Sequence, residues 1–331
     1  MSYANIENAK LSTGSDLNRT MLISVAKNIF IFSFIAFCAV STLGANPLAP
    51  DLSDVSYGSD SANKFDLYLA KSPNKTPVVI YYHEGGFRLG DKRGIKSNFV
   101  NRLLRCGISV VSANYRFISN TTHYPAPQED AVRVVQFLRS NANQYNIDAS
   151  RICLSGSSAG ANMAVWIGLH NDMADSASRD SIKRQSTRVT CVVAYDAQTT
   201  NDPHWFEQHV GKWGDMYQRF AGFYGVSPRE VVSPSKSFQK IIDEASAMNH
   251  ASSDDPPVFL SYKDKMTPVP LPAGARLEAI VHHPIFGVSL VQTLTARGVE
   301  SHVYWGKGGS EENPMPPSAD LDFLCAKLNP Q

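Results

Sequence analysis

The stretch Gly156-Ser157-Ser158-Ala159-Gly160 constrains this chain more than any other. It fits the pattern G-x-S-x-G, in which a serine is carried on a strained turn between a strand and a helix. In so tight a turn, a Cβ at either glycine would meet backbone. Residues 151–154 read as a short buried strand and 161–167 as the helix that follows. Ala159, Ala161 and Ala164 are small enough to let that helix lie close on a sheet. The pentapeptide also turns up by chance in serine-rich strand–helix turns. Strand before and helix after are what make it a nucleophile elbow with Ser158 at its tip.

The rest of the chain repeats the same alternation. Residues 77–82 (P-V-V-I-Y-Y) form a continuous apolar run, as expected of a strand covered on both faces. Residues 108–112, 188–195, 256–262 and 299–305 read the same way, and 65–69 alternates like a half-buried strand. Helical spacing appears over 98–104, 129–139, 286–297 and 319–328. Strands alternating with helices predict an α/β fold, a mostly parallel central sheet with helices on both faces. At 331 residues, 43% hydrophobic and 18% charged, the chain fits one large globular domain over 46–331. Residues 196–255 form a long excursion rich in aromatics, either a lid or pocket wall or simply a packed helical insertion.

Net charge is +1 and no basic run stands out, which argues against nucleic acid as a partner. The five cysteines are far apart with no C-x-x-C, so neither a zinc site nor a dense disulfide framework is indicated. Cys153 and Cys191 lie in apolar strand-like runs and are expected as buried thiols. Residues 1–45 read as an extension plus an export signal. Met21 opens a segment with Lys27, an apolar run over 29–40 and a small-residue exit at Gly44-Ala45. The expectation is a secreted or periplasmic protein; the alternative is a membrane anchor over 29–45, although that run is short for spanning.

Taken together, the motifs resemble α/β-hydrolases, more narrowly the hormone-sensitive-lipase-like and feruloyl-esterase-like (BD-FAE type) carboxylesterases. The resemblance rests on Y-Y-H-E-G-G-F at 81–87, S-A-N-Y-R at 112–116, Y-P-A-P-Q-E-D-A-V at 124–132, G-S-S-A-G at 156–160 and D-P-P-V-F-L at 255–260. It covers nearly all of 55–328. It implies hydrolysis of a small-molecule ester, a short acyl group such as acetyl or feruloyl on a carbohydrate, with no metal and no organic cofactor. Carried over by position, Gly85, Gly86 and Ala159 are the expected oxyanion hole, and His83 braces that loop. Glu84 replaces the family's first glycine, either as a tolerated change or as a carboxylate brought near the site.

A serine hydroxyl needs a base to take its proton and an acid to orient that base. Here the chain departs from the family. The usual acid position reads Met266 and the usual histidine position reads Gly309. His302, the last histidine, lies inside a strand. A relocated base is therefore expected from His282-His283, with His283 placed first, and the acid from Asp264 or Asp196. The pair could equally be a locally bonded helix entry, and an intact elbow with both partners displaced also fits a degenerate hydrolase serving as a binding or scaffold protein. The remaining histidines, His123, His170, His204, His209 and His250, carry no motif.

Overall fold

The computed structural model describes residues 48–306, 313 and 316–329. The expected export segment lies outside the described residues. Among the described residues, no helix is long and apolar enough to cross a membrane.

The first half runs β1 (Leu52–Ser56), β2 (Lys64–Tyr68), β3 (Thr76–Tyr82), α1 (Ser97–Arg105), β4 (Ser109–Ala113), α2 (Ala126–Ser140), β5 (Ile147–Ser157) and α3 (Ala159–Leu169). After β6 (Cys191–Tyr195), four helices follow without a strand: α4 (Pro203–His209), α5 (Met216–Tyr224), α6 (Pro228–Val232) and α7 (Lys236–Ala245). The chain then re-enters the sheet as β7 (Val258–Tyr262). It continues through α8 (Leu277–Val281), α9 (Ile285–Ala296), β8 (Ser301–Trp305) and α10 (Ala319–Leu328).

The eight strands form one sheet in the order β1-β2-β4-β3-β5-β6-β7-β8. β1 pairs antiparallel with β2 and β2 antiparallel with β4; every later pairing is parallel. Successive strand residues point to opposite faces, and the two cores divide accordingly. Val78, Ile80 and Tyr82 of β3, with Leu154, Val192 and Leu260, enter the larger core, which contains residues of α2, α3 and α9. Val79, Val110, Val193 and Phe259 enter the smaller one, closed by Val100 and Leu103 of α1 and by Phe323, Leu324 and Leu328 of α10. This is the α/β-hydrolase architecture, with helices on both faces.

The same alternation brings two cysteines together. Cys153 and Cys191 are register partners on β5 and β6, point to the same face, and are fully buried. They are paired as a disulfide, with Cα atoms 4.7 Å apart. The expectation of two separate thiols is corrected on this point. Neighbouring strands at matching register place Cα atoms within disulfide range, which spacing in sequence does not reveal.

Candidate active site

β5 ends at Ser157 and α3 begins at Ala159, so the chain reverses at Ser158. The turn holds Ser158 at φ 49° and ψ −116°, a region that non-glycine residues seldom occupy. The glycines on either side are required by close approach. A Cβ on Gly156 would run into the backbone of Gly160, and one on Gly160 into the carbonyl of Tyr82 on β3. Helix α3 is buried on every side, all eleven residues of it, which locks the turn between helix and sheet.

Ser158 Oγ lies 2.9 Å from His282 Nε2. The histidine is the residue that ends α8, its N–H donating to the carbonyl of Glu278 (3.0 Å). Burial pushes the imidazole below its ordinary pKa. The negative charge of Asp196 acts against that, and the positive charge of Lys263 adds to it. A lowered pKa favours the neutral ring, the form that can accept a hydroxyl proton.

His283, the residue placed first from sequence, is not at the site. Its Nδ1 accepts from the N–H of Ile285 (3.1 Å), so its Nε2 carries the proton, facing Thr267 Oγ1 at 3.0 Å. The ring is 2% exposed. Two adjacent side chains at a helix end point in different directions; His282 turns to the serine and His283 to Thr267 and the first N–H of α9. The reading of the pair as locally bonded holds for one member only.

Asp196 is 2% exposed and sits just past β6 at φ 53°. Its Oδ1 accepts from the backbone N–H of Lys263 (2.8 Å), and its Oδ2 lies 3.1 Å from Lys263 Nζ. Asp264 is partly exposed, and its carbonyl accepts from the Gly306 N–H (3.1 Å). Of the two carboxylates weighed from sequence, Asp196 exerts the larger charge effect on His282. Met266 is a half-exposed loop residue, and Gly309 lies outside the described residues. His302 stays in β8 with Nε2 3.3 Å from Glu300 Oε1.

Gly85 and Gly86 follow β3 with φ of 124° and 58°, and line one cavity of about 280 Å³ together with Ser158. The aromatic side chains Phe206, Trp213, Phe220 and Phe223 of the helical excursion close its sides. Ala159 is the first residue of α3, where backbone N–H groups have no acceptor within the helix. His83 carries the glycine loop from behind. Its Nδ1–H donates to the Glu84 carbonyl (2.7 Å), and its ring stacks on Tyr115 at 4.4 Å. The Tyr115 hydroxyl in turn donates to the His83 carbonyl (2.9 Å). Burial lowers the His83 pKa, in keeping with a bracing part.

Among the described residues, one group brings three metal-capable side chains within 4.8 Å of one another: His170, Glu244 and His250. Each already has protein partners. His170 Nδ1–H donates to the Asn171 carbonyl (3.0 Å), and its Nε2 meets Glu244 Oε1 at 2.8 Å. His250 Nε2–H donates to the Glu244 carbonyl (2.8 Å). The trio is a hydrogen-bonded knot tying the end of α3 to α7.

Sequence reasoning missed α8. A five-residue helix with apolar Leu277, Ile280 and Val281 is one turn of periodicity, too little to stand out. The i, i+3, i+4 spacing of those three residues was the available signal, and it would have put His282 at a helix end.

Comparison with known proteins gives the family. The BD-FAE family model matches residues 65–280. Arylacetamide deacetylase-like 2 of Homo sapiens is 36% identical over 107 residues, 30% of this chain and 26% of that protein. Esterase LipQ of Mycobacterium tuberculosis is 25% identical over 232 residues, 67% of this chain and 50% of that one. The chain thus spans from about a quarter to half the length of such curated relatives. Among solved structures, an acetyl ester-xyloside bifunctional hydrolase from Caldicellulosiruptor lactoaceticus superposes with a TM-score of 0.61 at 21% identity, covering 85% of this chain and 94% of that one. A truncated carbohydrate esterase from gut microbiota gives 0.59 at 20% identity, covering 77% and 86%. With two thirds of its length under one family model and its strand order and elbow in place, the chain belongs to the BD-FAE family of α/β-hydrolases.

Proposed function

We propose that this chain is a serine carboxylester hydrolase in which Ser158 attacks, His282 is the general base and Asp196 the acid that supports it. The observation that carries the reading is the 2.9 Å contact between Ser158 Oγ and His282 Nε2 at a strained serine. In the first half-reaction, Ser158 Oγ bonds to the ester carbonyl carbon as its proton passes to His282 Nε2. The backbone N–H groups of Gly85, Gly86 and Ala159 receive the negative oxygen. The alcohol leaves with the proton from His282, and a water molecule, deprotonated by the same nitrogen, then releases the acid. Asp196 stabilises the transient imidazolium through charge, as the largest nearby negative influence on that ring.

Short acyl esters, acetyl or feruloyl, on a carbohydrate are the substrate class we favour. The names of the structural neighbours, a carbohydrate esterase and an acetyl ester-xyloside hydrolase, support it. The competing reading, a degenerate hydrolase retained for binding, draws on Met266 and Gly309 at the family's acid and base positions. A strained serine bonded to a histidine favours chemistry, because a binding scaffold has no use for the strain. A fluorophosphonate probe distinguishes the two. Labelling is expected on Ser158, absent in Ser158→Ala and strongly slowed in His282→Ala. Folded wild-type protein that takes no label would favour the binding role.

A further inference from the structure

The cavity that holds Ser158 is apolar at its sides but not neutral. Arg88 and Arg219 both line it, and none of the residues lining it is an aspartate or glutamate. The two arginines come from different elements. Arg88 lies two residues beyond Gly86, on the turn where its own N–H donates to the Gly85 carbonyl (3.0 Å). Arg219 is on α5, with its Nε 2.8 Å from Oδ2 of Asp215, the residue just before that helix.

Arg88 is exposed, and its side chain reaches across to α5. Its Nη2 lies 2.6 Å from where a Cβ on Gly222 would stand, so the guanidinium rests on bare helix backbone at a position where any side chain would displace it. Gly222 is three residues after Arg219, so the two groups share one face of α5. Among the described residues, no carboxylate is paired with Arg88. A planar cation with five donors, lining the same cavity as Ser158 and lacking a protein anion, matches a carboxylate in geometry and charge.

From this we infer that the substrate ester carries a carboxylate, which Arg88 receives with Arg219 in support. The inference rests on the esterase reading for its chemistry but not for its binding. The two are therefore tested separately.

Binding is read first, from the fluorescence of Trp213 in the cavity wall, with monomethyl adipate against dimethyl adipate. These ligands differ only in one free carboxylate. The wild-type protein is expected to bind the monoester about tenfold more tightly, with the preference shrinking as salt rises. In Arg88→Gln the ratio should fall close to one. Gly222→Ala, a favourable change for a helix interior, should lower it as well by dislodging the guanidinium. Equal binding of the two ligands by wild-type protein, or an undiminished preference in both variants, overturns the inference. Turnover is read second, from 4-nitrophenyl monoadipate against its methyl ester, where kcat/KM should favour the free acid. Carboxylate-selective, Arg88-dependent binding without hydrolysis of either ester would sink the esterase reading and leave the carboxylate site standing. Hydrolysis without any preference for the acid would do the reverse.

Discussion

Ser157, the residue before Ser158, donates its hydroxyl to Glu84 Oε2 at 2.9 Å. Glu84 stands where the resemblance calls for a glycine. It is two residues beyond Tyr82, whose register partner on the neighbouring strand is Gly156. The carboxylate thus fastens the glycine loop after β3 to the elbow after β5, the two pieces proposed to supply the oxyanion N–H groups.

A hydrogen bond to a charged group contributes about 1.5–3 kcal/mol, and here part of it goes into holding the loop in place. Glu84→Ala is expected to lower kcat about tenfold, with a smaller change in KM. Glu84→Gln keeps an acceptor for Ser157 and should recover most of the loss. Its acid limb should move slightly to lower pH, because the Glu84 charge helps the His282 imidazolium. Steady-state kinetics of both variants on one activated ester provide the check; equal damage in the two would mean that charge, not tethering, is what Glu84 supplies.

Two of the sequence motifs meet in an ion pair. Arg116, from N-Y-R, grips Asp130, from Q-E-D-A, with Nε 2.9 Å from Oδ2 and Nη2 2.8 Å from Oδ1. The backbone N–H of Arg116 donates to the same carboxylate (2.8 Å). Asp130 is buried on α2, whereas Arg116 remains partly open to water. Removing the arginine would leave a buried charge with one donor. Arg116→Ala is expected to cost about 2–3 kcal/mol, below the range for a fully buried pair because of that exposure. Urea denaturation measures it. Arg116→Lys, which keeps the charge but not the fork, should recover only part.

The core strands were legible because each is a run of apolar residues covered on both faces. β3, β4, β5, β6 and β7 all read that way. β1 was not, since four of its five residues are exposed and only pairing with β2 makes it a strand. The elbow was legible because sterics leave so few sequences for it. The proposed base was legible only as far as the dipeptide His282-His283. Choosing between them depends on how the one-turn helix α8 is oriented in the fold, which no local pattern encodes. Asp196 offered a partial signal, an acid directly after a strand, but its weight comes from the positive φ and the Lys263 contacts. Arg88 had no signal, for its surroundings are drawn from α5, far along the chain.

His282 and His283 give the sharpest contrast in outcome. A histidine base contributes about 10²–10⁴-fold, so His282→Ala should lower kcat/KM by that order while leaving the unfolding midpoint nearly in place. His283→Ala should do the opposite, costing about 1–3 kcal/mol by leaving Thr267 and the Ile285 N–H without their partner. The pH profile adds a second check on His282. The base works only when neutral, so kcat/KM falls as pH drops through its pKa, and burial sets that pKa below the ordinary histidine value. Lys263 adds to the depression and also occupies Asp196. Lys263→Met removes a positive charge and frees a negative one. Both changes favour the imidazolium, so the acid limb should move to higher pH. The same sign governs stability. A histidine whose folded pKa is depressed makes the unfolded chain bind more protons, so His83, His282 and His283 together should make the fold less stable as pH falls through the ordinary histidine range. In His282→Ala that slope should be shallower. An acid limb that stays put in Lys263→Met, or moves to lower pH, would mean that the titrating group is not His282.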